Sequence, residues 1–293
     1  MQNKPLVSVL MTAYNREKYI AEAIESIMVS TYQNWELIIV DDGSKDKTEE
    51  IAKSFQSKDS RIKVYINENN LGDYPNRNKA ASYAKGKYLK YVDADDLIYP
   101  YGIEQLVFYM EQFPDVAYGL CSLPQDNDEI YPFMLLPEEA YKRHYITNKW
   151  IFHKAPLSSI INKDIFNNIG GFTGKQHLGD FEMWNILSQK HKVVLMPAGI
   201  VWHRTHDEQQ NQENKTKPEI PFKYFVIEYK ILKSKNCPLC KEEKLIAQNK
   251  CLRKQARYIL RHLKSHGIKM ALQLQKKSNL SKMEVLTKAF MRI

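Results

Sequence analysis

Long apolar runs are missing from this chain. None of about 18 residues occurs in its 293 positions, so a membrane-spanning helix is not expected. Residues 1–5 carry Lys4 and lead straight into a strand-like run, with no apolar segment and cleavage site. A secretory signal is therefore not expected. Cysteine is scarce: Cys121, Cys237, Cys240 and Cys251 are too few and too irregular for a disulfide framework, and fit a reducing compartment. Cys237 and Cys240 would make half a zinc site with Cys251, His262 or His266, but the spacing matches no established ligand pattern, so four free thiols are expected. No glycine-rich, basic loop opens the chain to grip phosphate, which counts against a nucleotidyltransferase. No zinc finger or aromatic RNA-binding motif is present, so nucleic acid is not an expected partner. No internal repeat is found, which excludes a solenoid.

What is there is ordinary in bulk and uneven in detail. Hydrophobic residues make up 43% and charged residues 26%, enough for a sizeable core in one domain plus an appendage. The net charge of +9 is concentrated at one end. Residues 222–293 hold eighteen Lys and Arg against four Glu, or +14, which leaves −5 for the remainder. A mildly acidic body with a basic tail points to an anionic partner surface, such as lipid headgroups or an anionic polymer.

The first hundred residues alternate strand and helix signals. Short β-rich runs lie at 6–12, 35–40, 62–66 and 88–92, and helical periods at 17–28, 46–55 and 75–85. This order predicts parallel strands joined by crossover helices, hence a doubly wound α/β sheet. Beyond Pro100 the pattern is mixed. A helix is expected at 103–112, a loop at 123–137, further strands within 152–205 with one helix at 181–189, and a linker at 208–221. The basic tail reads as helical, with Leu252, Ala256, Ile259, Leu260 and Leu263 on one face.

Ligands bind open α/β sheets at the carboxyl ends of the strands, and polar residues recur there. The first strand ends in Thr12, Ala13, Tyr14, Asn15 and Arg16. The second ends in Asp41, Asp42, Gly43 and Ser44, and the fourth in Asp93, Ala94, Asp95 and Asp96. Each alone reads equally well as a solvated turn. Three converging on one edge point to a site. Asp93, Asp95 and Asp96 form a carboxylate cluster whose mutual repulsion calls for a cation, with a divalent ion and phosphate oxygens as the natural occupants.

The runs VSVLMTAYNREKYIAEAIESI, NWELIIVDDGSKDKT and NLGDYPNRNKAASYAKGKYLKYVDADD stand in that order over about residues 5–100. Together they resemble family 2 glycosyltransferases of the GT-A fold, non-processive and inverting, and weaker features continue to about residue 206. The resemblance implies a catalytic domain over 1–221, with a nucleotide-sugar half to about 100 and an acceptor half after it, followed by a basic helical segment over 222–293. It implies that Thr12, Ala13 and Tyr14 cradle the nucleotide, that Asp41 accepts a hydrogen bond from the base, and that Arg77 contacts the nucleotide. Asp93-Ala94-Asp95 then matches the DXD motif, with Asp93 toward the ribose and Asp95 on Mn²⁺ or Mg²⁺. Asp42 and Asp96 are lesser candidates beside them.

Farther on, Gly170-Gly171-Phe172 resembles the loop before the acceptor helix, and Asp180 matches the catalytic base. The family usually shows Glu-Asp at that point, whereas this chain has Gly179-Asp180. Glu182 is the alternative base, and simple capping of the helix by Asp180 is the bland alternative. In Trp202-His203-Arg204-Thr205-His206, His206 is the favoured group near the metal or diphosphate, ahead of His203 and Arg204. The Gln- and Trp-containing motif of processive synthases is absent. The implied reaction is therefore transfer of one sugar from a nucleotide-diphosphate donor, with uracil as the expected base, to a glycan or lipid-linked acceptor. The implied location is cytoplasmic, peripheral to the inner face of a membrane.

Overall fold

A computed structural model describes residues 4–206 and 217–290. The chain divides into two units. The first comprises Met1–Ala140 with Ile151–Arg204, and the second Tyr141–Trp150 with Thr205–Ile293.

The first unit is built on strands whose apolar residues are buried on both faces, as helix-covered parallel strands require. It opens with β1 (Val7–Ala13), α1 (Ile20–Met28), β2 (Trp35–Asp41), α2 (Thr48–Gln56), β3 (Ile62–Ile66), α3 (Asp73–Ser82) and β4 (Tyr88–Tyr91). Next come β5 (Leu97–Ile98), α4 (Gly102–Glu111), β6 (Val116–Leu123), β7 (Phe133–Leu135) and the short α5 (Pro137–Tyr141). It ends with β8 (Ser159–Asn162), α6 (Lys163–Asn168), α7 (Gly179–Ser188), β9 (Lys192–Pro197) and β10 (Val201–Trp202). Helix α1 shows the logic: Ile20, Ala23, Ile24 and Ile27 recur at helical spacing and all four are buried.

Eight strands form one sheet in the order β3-β2-β1-β4-β8-β6-β9-β7. The run β3-β2-β1-β4 is parallel, β8 lies antiparallel between β4 and β6, and β6 pairs parallel with β9. The α/β expectation holds. The chain leaves β1 toward β2 on one side and returns to β4 on the other, which makes the ends of β1 and β4 a topological switch point. Register then decides which residues meet. Ala13 pairs with Asp41 and Leu10 with Tyr91, so Thr12, two residues beyond Leu10, stands level with Asp93, two beyond Tyr91.

Two sequence expectations need correction. The stretch 123–137 is not all loop, because Phe133–Leu135 pairs antiparallel with β9 at the sheet edge. A three-residue strand between Pro132 and Pro137 is too short to show a period of two. Of the expected linker, 208–216 lies outside the described residues, while Glu219 already begins a helix.

The second unit is helical: α8 (Glu219–Lys233), α9 (Lys241–Lys277) and α10 (Lys282–Phe290). Its core gathers Phe222, Leu252, Ala256, Ile259, Ala271, Leu274, Leu280, Val285 and Ala289. Helix α9 breaks direction at Gly267, whose φ of 77° suits glycine. Leu263, expected on the packed stripe, is instead 40% exposed, close to where that break ends the stripe. All four cysteines are free thiols, and Cys237, Cys240, Cys251, His262 and His266 form no metal cluster among the described residues. No described helix is long and apolar enough to cross a membrane.

Candidate active site

The site begins where β1 and β2 end. Ala13 is buried, while Tyr14 is exposed and Thr12 half-buried. Asn15 turns the chain with a φ of 52° and is stitched to the loop after β2 on both sides. Its amide donates to Ser44 Oγ at 2.8 Å, and its Oδ1 accepts from the Lys45 amide at 2.8 Å. The two strand-end loops are thus one structure.

Asp41 and Asp42 sit side by side and do different things. Asp42 is occupied: its carboxylate accepts from Asn67 Nδ2 at 2.7 Å and from the Leu71 and Gly72 amides at 2.9 Å each. It shapes the loop before α3. Asp41 is fully buried, and its Oδ1 accepts from the Ser44 amide at 2.7 Å. Its Oδ2 is buried with no hydrogen-bond partner among the described residues. Burial pushes the Asp41 carboxyl above the usual range. A buried acceptor left open is costly unless a ligand donor fills it.

Beyond β4 lies a network of carboxylates and guanidinium groups. Arg77, buried on α3, donates to both Asp93 oxygens at 2.6 and 2.9 Å and to Asp73 Oδ1 at 2.6 Å. Thr12 Oγ1 donates to Asp93 Oδ1 at 3.3 Å, as the register requires. Burial alone would raise the Asp93 carboxyl, but the charge and hydrogen bonds of Arg77 hold it below the usual range. Arg16 Nε meets Asp95 Oδ2 at 2.9 Å. Pairing of β5 with β10 brings Arg204 to the same place. Its amide donates to Asp96 Oδ1 at 2.9 Å and its Nε to the Asp95 carbonyl at 3.0 Å. Burial, then the neighbouring Asp93 charge, pushes Asp96 up to about 8. On β4 itself, Lys90 is fully buried, donates to the Leu157 carbonyl, and is driven down to about 8 by that burial.

These residues fit a divalent cation. Asp93, Asp95 and Asp96 follow one another at one strand end, where burial and then the Asp93 charge raise the Asp96 carboxyl. Hard oxygen donors of this kind suit Mg²⁺ or Mn²⁺. Asp93 is held by Arg77 and Asp95 by Arg16, and Asp96 is buried, so a cation here would share its carboxylate with a guanidinium. His203 is exposed, and His206 is counted with the second unit.

Asp180 lies in the first turn of α7. The cap position is Leu178, so Asp180 is not the helix cap. Its Oδ1 accepts from the Phe181 amide at 2.7 Å. Burial pushes its carboxyl up to about 6, with the Phe181 amide and the Tyr74 hydroxyl pulling the other way. Glu182 is buried and bound by Thr173 Oγ1 and Lys175 Nζ, so it ties down the preceding loop. Asn78 clamps that loop as well, exchanging two 2.9 Å hydrogen bonds with the Phe172 backbone.

The sequence pattern of the family described as Glycosyl transferase family 2 matches residues 8–174, more than half of the chain. The chain belongs to that family. It is accordingly a glycosyltransferase with the mixed α/β architecture of the GT-A type. Among curated relatives, glycosyltransferase GlyG of Streptococcus pneumoniae is 31% identical over 212 residues, covering 68% of this chain and 70% of its own. An uncharacterised glycosyltransferase of Methanocaldococcus jannaschii is 47% identical over 116 residues, and that match spans 39% of this chain and 40% of the relative. Of solved structures, S. aureus TarS 1–349 in complex with UDP-GlcNAc superposes with a TM-score of 0.63 at 16% identity, covering 92% of this chain and 90% of that one. Mannosyltransferase PcManGT from Pyrobaculum calidifontis, in complex with GDP-Man and Mn²⁺, gives 0.66 at 15%, covering 98% and 84%. At these identities the likeness is one of fold.

The first unit therefore brings Thr12, Arg77, Asp93, Asp95, Asp96 and Arg204 into one network, sets Asp41 on the adjoining strand end, and places Asp180 next to α3. Sequence reasoning gave no role to Arg16, Tyr74 or Lys90. An arginine four residues past Thr12 was visible in the strand-end motif. The other two owe their positions to tertiary packing.

Proposed function

We propose that this glycosyltransferase moves one sugar, with inversion, from a UDP-sugar to a hydroxyl of a glycan, lipid-linked or cell-surface polysaccharide acceptor. The observation that carries the donor reading is the open, buried Asp41 Oδ2 at the end of β2, beside the β1 loop. It suits the imide N–H of uracil, and the UDP-GlcNAc complex of TarS is in keeping with that. The GDP-Man complex of PcManGT makes guanine the competing base.

In this reading Thr12, Ala13 and Tyr14 line the nucleotide, and Asp93, held by Arg77 and Thr12, faces the ribose. Asp95 holds Mn²⁺ or Mg²⁺. The cation would offset the charge that gathers on the diphosphate leaving group. Asp180 accepts the acceptor hydroxyl's proton as that oxygen attacks the anomeric carbon from the face opposite the diphosphate. Its carboxyl near 6 leaves it ionised at neutral pH and still basic enough for the transfer.

The catalytic domain is proposed to span 1–221 and the basic segment 222–293. Helix α10 exposes Met283, Leu286 and Phe290 at 78%, 59% and 79% along one face, opposite the buried Val285 and Ala289. With +14 in this segment, that face suits peripheral docking on the anionic inner face of a membrane. A screen of UDP- and GDP-sugars with Mn²⁺ or Mg²⁺, read by nucleotide release, tests the main reading. Turnover with a UDP-sugar that chelator abolishes is expected. Turnover with GDP-sugars alone would overturn the base assignment, and full turnover in chelator would overturn the metal.

A further inference from the structure

The family resemblance puts an acidic residue before the base, and here that position is Gly179. The structure gives a steric reason. A Cβ built on Gly179 would lie 2.7–2.8 Å from three atoms of the Tyr74 ring, well inside contact distance. No side chain fits at 179 while Tyr74 stays where it is. Tyr74 has little freedom to leave. It is 6% exposed, its ring stacks at a tilt on Phe172 at 5.3 Å, and Phe172 belongs to the loop clamped by Asn78.

We propose that Tyr74 replaces the missing acidic neighbour and acts as the positioning residue for Asp180. The proposal rests on reading Asp180 as the base. The tyrosine comes from α3, the helix that also supplies Arg77 to Asp93. One rigid element therefore orients both the donor-side carboxylate and the acceptor-side carboxylate.

The chemistry is consistent with that role. The Tyr74 ring packs against Gly179, one residue from Asp180, and its hydroxyl is among the groups that lower the Asp180 carboxyl. Burial pushes the phenol far above its ordinary range, so it stays protonated and donates. A donated O–H favours the ionised carboxylate and fixes its orientation. The proton taken from the acceptor goes to Asp180, not to Tyr74, which keeps its own throughout. The other groups bearing on Asp180 are Arg77 and Asp73 from α3 and the Phe181 amide from α7. His153 stacks on the Phe181 ring at 4.8 Å, and Glu182 is held by Thr173 and Lys175.

The test is kcat and donor KM against pH for the full chain, read by nucleotide release. Tyr74→Phe keeps the ring and its packing and removes only the hydroxyl. Donor KM should stay constant while the acid limb of kcat moves up by about one pH unit, a loss of about tenfold below the limb that recovers above it. A loss equal at every pH, or an unmoved limb, would overturn the proposal. The steric exchange is tested separately. Gly179→Glu should lower kcat, and Gly179→Glu combined with Tyr74→Ala should recover part of it. A double variant no better than Gly179→Glu would also overturn the exchange. Asp180→Asn distinguishes the two levels: if it is fully active, the base reading fails; if it is inactive while the Tyr74→Phe limb is unmoved, only the role of Tyr74 fails.

Discussion

The carboxylates beyond β4 and the carboxylate at the head of α7 are held in opposite ways. Asp93 and Asp95 each face a guanidinium, at 2.6 and 2.9 Å. Both are pinned by these pairs, and the pair with Arg77 holds the Asp93 carboxyl below its usual range. Asp180 has no ion-pair partner within contact distance among the described residues; the Phe181 amide donates to it at 2.7 Å, and burial raises it to about 6. A group that anchors a charged ligand gains from a fixed negative charge. A group that takes a proton in the reaction gains from a raised affinity for it. The two sets differ in environment as two jobs would require.

The strongest way to break this contrast is to remove the anchor. Asp95→Ala should abolish metal-dependent transfer while leaving the fold intact, as judged by nucleotide release and by an unchanged thermal midpoint. Undiminished activity would end the metal assignment. Next, Asp180→Asn should lower kcat by roughly 10²-fold or more at constant donor KM. In the unaltered protein kcat should fall as pH drops through about 6, because the base must be ionised. The sign for stability is the reverse. A carboxylate raised in the folded state loses folding free energy as pH rises from its ordinary value through about 6, so Asp180→Asn should not lower the thermal midpoint at pH 7. A midpoint that drops would mean that Asp180 is structural.

Arg77→Gln probes the paired set from the other side. It strands Asp73 and Asp93 beside a buried neutral group, so denaturant unfolding should show a loss of about 3–5 kcal/mol. A change under 1 kcal/mol would mean that the bidentate pair contributes little. Asp41→Asn should raise donor KM roughly tenfold with kcat unchanged, since one charge-assisted hydrogen bond to the base is lost. The smallest effect is expected in the tail. Replacing Arg253, Lys254, Arg257 and Arg261 with Gln should weaken co-sedimentation with anionic vesicles and leave turnover on soluble acceptors unchanged. Equal binding to neutral vesicles would remove the electrostatic account.

Much of the proposed donor side was legible in order. Apolar strands ending in Asp41-Asp42 and Asp93-Ala94-Asp95-Asp96 declare themselves because strand, turn and charge are all local. The edge strand Phe133–Leu135 was hidden by its length, and the start of α8 by the polar stretch before it. Leu263 was misjudged because helical period reports a face, while burial depends on what covers that face. The sequence marked Gly179 as a departure from the family without a reason, since the reason stands more than a hundred residues away.

By itself, the sequence determined the element order as far as β4, the parallel character of the first four strands and the identity of the carboxylates at their ends. Those follow from periodicity and turn chemistry within a dozen residues. Only the tertiary structure decided how those carboxylates behave. Register set Thr12 beside Asp93, the β5–β10 pair carried Arg204 to Asp95 and Asp96, and α3 delivered Arg77 to Asp93 and Tyr74 to Gly179, the neighbour of Asp180. Protonation depends on burial and on the nearest charge, and both are properties of packing rather than of spacing along the chain.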